Sequence, residues 1–420
     1  MKITLTQFRP NTAEAVWTDC FAQAIAELHK AGGGVLTVPT GEYSTGPIEL
    51  CSNMELHLEP GAVIRFLNDP AAFPLQECQY EGRISHRPKP CLSAFNAENV
   101  ALTGSGVLDG CGAPWWAAQR ARTLANGRPY LLHFENVTHL RVCGVQLRNS
   151  PAWTVHPLNC VDVLIEDVSI CNPYNSPNTD GINPESCRDV RILNCRVDVG
   201  DDCITLKSGT EETPSPVPCE NIVIANCLLV HGHGGIVIGS EMSGGVRNVT
   251  VTNCVFTGTD RGLRVKTRRR RGGCVENLRL SNLVMERVFC PFVFNMYYSC
   301  GTAEKDRWVW GKTPYPVDGG TPAFRNIRIN GVTVVGATAS AGFFYGLAES
   351  PIDGLSLTDC HIEMARGAAP EKPAMMGNLE PMSARGFFLR NAKNVEFHNV
   401  TLKNADGEAY DTDESVDGEF

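Results

Sequence analysis

The sequence predicts an all-β solenoid, a parallel β-helix closed at its start by one short helix. Three observations predict it. An eight-residue unit, apolar-x-apolar-x-(Asn/Asp/Gly)-apolar-x-apolar, recurs from Leu140, Val163, Val190, Ile222, Val249, Leu278, Ile327, Leu355 and Val395. The first five steps between these starts run from 23 to 32 residues, the spacing of a stacked array rather than of a globular core. The alternation is β-branched with period two, which argues strands and against a helical repeat.

Each element of the coil follows from the unit. The fifth position is Asp167, Asn194, Asn226, Asn253, Asn282, Asp359 or Asn399. A short polar side chain there suits a bend with positive φ, and stacked amides can bond from coil to coil. The sixth position is cysteine at Cys195, Cys227, Cys254 and Cys360, where its neighbours have apolar Val145, Val168 and Leu283. That is the behaviour of a small buried hydrophobe in a row. A helix is expected at 18–30, with Phe21, Ile25 and Leu28 on one face, capped by Thr18 or Asp19 and ended by Gly32-Gly33-Gly34. It reads as the cap of an open solenoid end. No other convincing helix is expected.

Residues 1–420 are read as one domain, with 1–60 as cap and first coils and 406–420 as a flexible acidic tail. A solenoid reaches 420 residues without a growing core, and 40 glycines and 26 prolines fit its many turns. The first residues show no apolar signal core, no run suits a membrane span, and no Cys-x-x-Cys pair is present among 18 cysteines. Reduced thiols and a cytoplasmic location are the expectation, with a removed export signal as the competitor. No metal, no cofactor, no membrane and no nucleic acid are expected. A formal charge of −9 disfavours general nucleic-acid binding despite seven basic residues between Arg261 and Arg271. Local positive charge on an acidic chain fits capture of a polyanionic substrate. Oligomeric state stays open.

The strands after the bends carry the chemistry. Aligned on an inward apolar residue, they read Asp180-Gly181-Ile182, Asp202-Cys203-Ile204, Gly234-Gly235-Ile236 and Arg261-Gly262-Leu263. Stacking about 4.8 Å apart places Asp180 over Asp202 and Asp201 over His233 in this alignment. Asn183, Thr205, Val237 and Arg264 form one outward row, and Glu185, Lys207, Gly239 and Lys266 the next. Paired carboxyl groups, one giving a proton and one activating water, are the minimum equipment for hydrolysing a glycosidic bond. Asp180 and Asp202 suit the water. Asp201 beside His233 suits the proton. Arg264 and Lys266 suit an anionic sugar, the first by bidentate pairing. A single aspartate at such a turn is more often turn chemistry, and Gly232-His233-Gly234 alone would be a glycine turn. Three carboxylates in register with a histidine are harder to explain that way.

With Asn178-Thr179-Asp180, Gly200-Asp201-Asp202, Gly232-His233-Gly234 and Arg264-Val265-Lys266 in that order, the chain resembles the polygalacturonases, family 28 of the glycoside hydrolases. The stretches Gly32 to Val35, Val38 to Tyr43 and Leu58 to Ala62 are similar to the start of that family too. The resemblance implies a right-handed parallel β-helix that hydrolyses α-1,4-linked galacturonic acid with inversion. It implies Asp201 as general acid, Asp180 and Asp202 as activators of water, and His233 as support for Asp201. Arg264 and Lys266 would bind the substrate carboxylate, with Asn178, Lys207 and Tyr298 as further substrate contacts. The run 268–271 resembles the exo-acting bacterial branch, and with a cytoplasmic location imported oligogalacturonides are the expected substrate. The insertions 75–89 and 304–321 are the expected groove walls. Alternatives remain: an endo-acting member, a rhamnogalacturonan hydrolase, a β-helix lyase with calcium and a basic side chain as base, or a carbohydrate-binding solenoid without catalysis.

Overall fold

A computed structural model describes residues 1–9, 16–299 and 306–420. The chain divides into two compact units, Met1–Asp201 and Asp202–Phe420. Each is a stack of parallel strands.

In the first unit the octets do what their pattern requires. The strands Met54–Leu58, Glu98–Gly104, Thr138–Cys143, Val161–Glu166 and Arg188–Leu193 pair in parallel, one coil on the next. Their alternation brings Leu56, Leu102, Val142, Ile165 and Ile192 into one register row, all with no exposure. Each fully buried side chain of this size contributes about 1.5–3 kcal/mol. Asp167 and Asn194 bend the chain at φ 54° and 56°, and the second half of each octet joins a separate row through Ile170 and Val197. The helix Thr18–Lys30 lies at the expected residues and buries Cys20, Phe21, Ala24 and Leu28, while Ile25 is only half-buried. Neither expected cap acts, because Trp17 is the N-cap and the Thr18 hydroxyl accepts from the Gly46 N–H at 2.7 Å. A second helix, Ala113–Ala121, was not expected. Pro114 starts it, and Trp115 and Trp116 bury its inner face.

The second unit continues the same construction. In it the bend is absorbed into long strands, Cys274–Glu286, Ala323–Ala337, Ile352–Met364 and Ala392–Lys403, which pair in parallel. Asn226, Asn253 and Asn282 all have positive φ, and their amides bond in a chain at 3.2 and 2.8 Å. A parallel row, Asn221, Asn248, Asn277 and Asn326, bonds at 3.0, 3.0 and 2.6 Å. Cys195, Cys227, Cys254 and Cys360 are at most 2% exposed, and all the described cysteines are free thiols. Residues 406–420 are not an irregular end: Tyr410–Asp411 pairs with Phe387 and Phe388, and Val416–Glu419 pairs with the strand Ala392–Lys403. Tyr410 and Phe420 close on Phe397, which gives this end its own apolar seal.

A seven-stranded sheet of the second unit follows the bends: Ile204–Leu206, Ile236–Ile238, Arg261–Lys266, Cys290–Asn295, Ser340–Tyr345, Arg385–Arg390 and Tyr410–Asp411. The corner that leads into this sheet takes residues 258–260, 287–289 and 338–339 in three coils, but residues 365–384 in a fourth.

Candidate active site

The first unit holds Asn178, Asp180 and Asp201. The loop before Asp180 is set by hydroxyls: Thr179 donates to the Ser176 carbonyl at 3.1 Å and meets the Ser176 hydroxyl at 2.5 Å. Gly200 must be glycine because a Cβ there would stand 2.4 Å from the Ser176 carbonyl. Asp180 is 4% exposed, and the Asn183 amide donates to its Oδ2 at 3.1 Å. Asp201 is half-buried. Asn178, an expected substrate contact, accepts from Arg128 through its Oδ1 at 2.7 Å. Arg128, 3% exposed, also donates to the carbonyls of Pro151 and Pro177, so Asn178 belongs to the brace of its own loop. Glu185, expected on an outward row, has no exposure. It accepts from Gln79 at 2.7 Å and pairs with His156 at 3.0 Å, and His156 meets His133 at 3.1 Å. The insertion 75–89 is an antiparallel hairpin, Leu75–Tyr80 with Arg83–Pro88, and its Tyr80 stacks on Trp153.

The second unit holds Asp202, His233, Arg264, Lys266 and Tyr298. The alignment on inward apolar residues is the observed register, with Ile204, Ile236 and Leu263 in one row and Thr205, Val237 and Arg264 in the next. Leu263 and Val265 face the core, so alternation turns Arg264 and Lys266 together to the other side. They are not a solvated face. Arg264 is 2% and Lys266 7% exposed, and both hold one carboxylate: Arg264 Nη1 donates to Asp202 Oδ1 at 3.0 Å and Lys266 Nζ to Oδ2 at 2.7 Å. The path between them is kept clear by Gly234, whose Cβ would lie 2.5 Å from Val237 Cγ2 and 3.3 Å from both Asp202 Oδ1 and Arg264 Cδ.

Burial alone would push the Asp202 carboxyl up. Lys266, then Arg264, and more weakly His233 overcome it and hold the group far below the usual carboxylate range. Asp202 is therefore held as an anion, each of its oxygens bonded to one of the two cations. Asp260, two coils on, goes the other way, because burial raises it more than Arg261, His233 and Arg264 lower it. His233 is exposed. Tyr298 is 8% exposed, with Lys266 Nζ 5.3 Å and Arg264 Cζ 5.9 Å from its ring centre. Lys207, the other expected substrate contact, is 4% exposed and pairs with Glu241 at 2.7 Å. The run 268–271, read as local positive charge, is also engaged within the unit. Arg268 and Arg271 pair with Glu211, Arg269 pairs with Glu349, and Arg270 lies over Trp308. Of the insertion 304–321, residues 304 and 305 lie outside the described residues; the remainder includes the turn of helix Arg307–Trp310.

The sequence profile described as Glycosyl hydrolases family 28 matches residues 36–366. The chain belongs to glycosyl hydrolase family 28. It is 33% identical over 287 residues to a probable polygalacturonase of Vitis vinifera, covering 66% of this chain and 58% of that protein. It is 30% identical over 272 residues to an endo-polygalacturonase of Pectobacterium carotovorum, covering 61% of this chain and 65% of the other. The family 28 chain thus spans less than two thirds of the length of these curated relatives. Among solved structures, the exopolygalacturonase of Thermotoga maritima is 29% identical with a TM-score of 0.75, over 96% of this chain and 92% of that one. The Yersinia enterocolitica family 28 exopolygalacturonase, 20% identical, aligns over 99% of this chain and 78% of that one with a TM-score of 0.79. The fold of this family 28 chain is the parallel β-helix that its octets predict, right-handed as the family resemblance implies.

Proposed function

We propose that this chain hydrolyses α-1,4-galacturonosyl linkages of pectic oligogalacturonides with inversion, removing units from a chain end. The observation that carries the reading is the ionised, buried Asp202 between Lys266 and Arg264. An inverting hydrolase needs a carboxylate that stays charged while a neighbouring carboxyl cycles its proton. Asp202 fits the first part, and the family resemblance gives Asp180, in the motif Asn178-Thr179-Asp180, the same water-activating role. Asp201 fits the second as general acid, supported by His233. The cations that hold Asp202 have further donors, and a uronate carboxylate arriving beside Arg264, Lys266 and Tyr298 would meet them in a nearly dry site, where charge-assisted bonds are strong. Chain-end attack is supported by the likeness to the Thermotoga maritima protein named exopolygalacturonase.

A time course on a long oligogalacturonide tests this. Monogalacturonate is expected from the first minutes, with the parent shortening one unit at a time. A spread of mid-length fragments would make the enzyme endo-acting. NMR of the earliest product should show the β-anomer. Early α-anomer would mean a covalent intermediate and remove the water-holding role from Asp180 and Asp202.

A further inference from the structure

The corner that leads into the seven-stranded sheet needs only residues 287–289 or 338–339 in neighbouring coils, yet one coil spends residues 365–384 on it. A connection of that length inside a compact unit is usually a functional loop. This one is a strap fastened over the cationic residues. Arg261 Nε donates to the Pro373 carbonyl at 3.0 Å and its Nη2 to the Lys372 carbonyl at 2.7 Å. The Met375 carbonyl accepts from Asn295 Nδ2 and from the Ser299 N–H, both at 3.1 Å. Met376 bridges to Tyr298, and Glu371 and Met382 exchange backbone hydrogen bonds at 2.9 and 2.8 Å across the strap's base.

Within this strap Pro373, Ala374 and Met376 are buried, whereas Met375 is 39% exposed. Its Sδ stands 3.0 Å from Nη2 of Arg264, the guanidinium that also holds Asp202 through Nη1. A methionine kept at the edge of a buried guanidinium occupies the space beside any carboxyl group that comes to that cation. We propose that the strap is a specificity wall of the site, and that Met375 is the residue that excludes methyl-esterified uronate. The inference rests on the proposed pectic substrate and deepens it.

Two effects separate the free acid from its methyl ester at this place. The ester loses the charge-assisted bond to Arg264, because its carbonyl is a neutral acceptor. It also adds a methyl group where the thioether already lies, and discrimination of this kind comes as much from the clash as from the lost attraction. Truncating Met375 removes the second effect and leaves the first.

The test compares kcat/KM for trigalacturonate and for its fully methyl-esterified form in wild type, Met375→Ala and Met375→Leu. The position is exposed enough for all three to fold. Wild type should prefer the free acid. Met375→Ala should lower that preference by about tenfold, the scale of one methyl group in a pocket. Met375→Leu, which keeps the bulk without the sulfur, should retain it. An unchanged ratio in Met375→Ala, or a ratio in Met375→Leu that falls as far as in the alanine variant, overturns this inference alone. A wild-type protein inactive on both substrates overturns the proposed function and this inference with it.

Discussion

Lys266 reaches across two coils to hold Asp202, Nζ to Oδ2 at 2.7 Å, and Arg264 takes the other oxygen of the same carboxylate. Two cations on one buried carboxylate leave positive charge to share with a second anion.

The first prediction separates proton donor from charge holder. Asp201→Asn keeps the shape of the side chain and removes the transferable proton. Turnover on oligogalacturonide should fall by about 10²–10⁴, the usual worth of general acid catalysis, with binding little changed. Near-full activity in this variant would remove Asp201 from the acid role.

Asp202→Asn acts on stability as well as on rate. It leaves Lys266 and Arg264 buried without their carboxylate, and breaking a buried pair in this way costs about 3–5 kcal/mol. Urea unfolding should show a large loss for Asp202→Asn and a much smaller one for Asp201→Asn, since Asp201 is only half-buried. Equal losses would mean that the cations find other partners.

The acid side of the stability profile belongs in part to Glu241. Burial pushes its carboxyl up, but Lys207 and then Arg271 bring it down to about 2. A depressed folded-state value stabilises above the unfolded pKa, about 4.3 for glutamate, and the contribution is lost as pH falls toward 2. The stability difference between wild type and Glu241→Gln should therefore be flat above about pH 5 and shrink between about pH 4.5 and 2. A difference that stays constant to pH 2.5 would contradict the pairing with Lys207.

Divalent cations should not matter to turnover, because Asp202 has its charge met by Lys266 and Arg264. Activity should survive EDTA. Loss that calcium restores, together with an unsaturated product absorbing in the ultraviolet, would move the assignment to a lyase.

Much of this was legible in the sequence because a stacked fold repeats its rules. The octet gave the strands, the bends at Asn194, Asn226 and Asn253, the buried cysteine row, and the register that puts Arg264 level with Val237. What alignment could not give was the direction of long side chains. Arg264 lies on the row expected for it, yet Arg264, Lys266 and Lys207 each turn to an internal carboxylate, and nothing in local spacing names Asp202 or Glu241 as that partner. Asn178 was drawn to Arg128, 50 residues away, for the same reason. The second asparagine row, Asn221 to Asn326, did carry a signal: an Asn directly before the apolar start of four units. The strap 365–384 had none beyond its length, since Arg261 and Met375 meet only after the coils are stacked.

Coils that bind only their neighbours make the corner lengths independent of one another. A corner that lengthens from two residues to twenty, as at 338–339 and 365–384, leaves the ladders on either side of the longer one in register. Substrate preference in such a protein can therefore drift by insertion, one corner at a time, while the carboxylates and the cations that hold them are inherited unchanged.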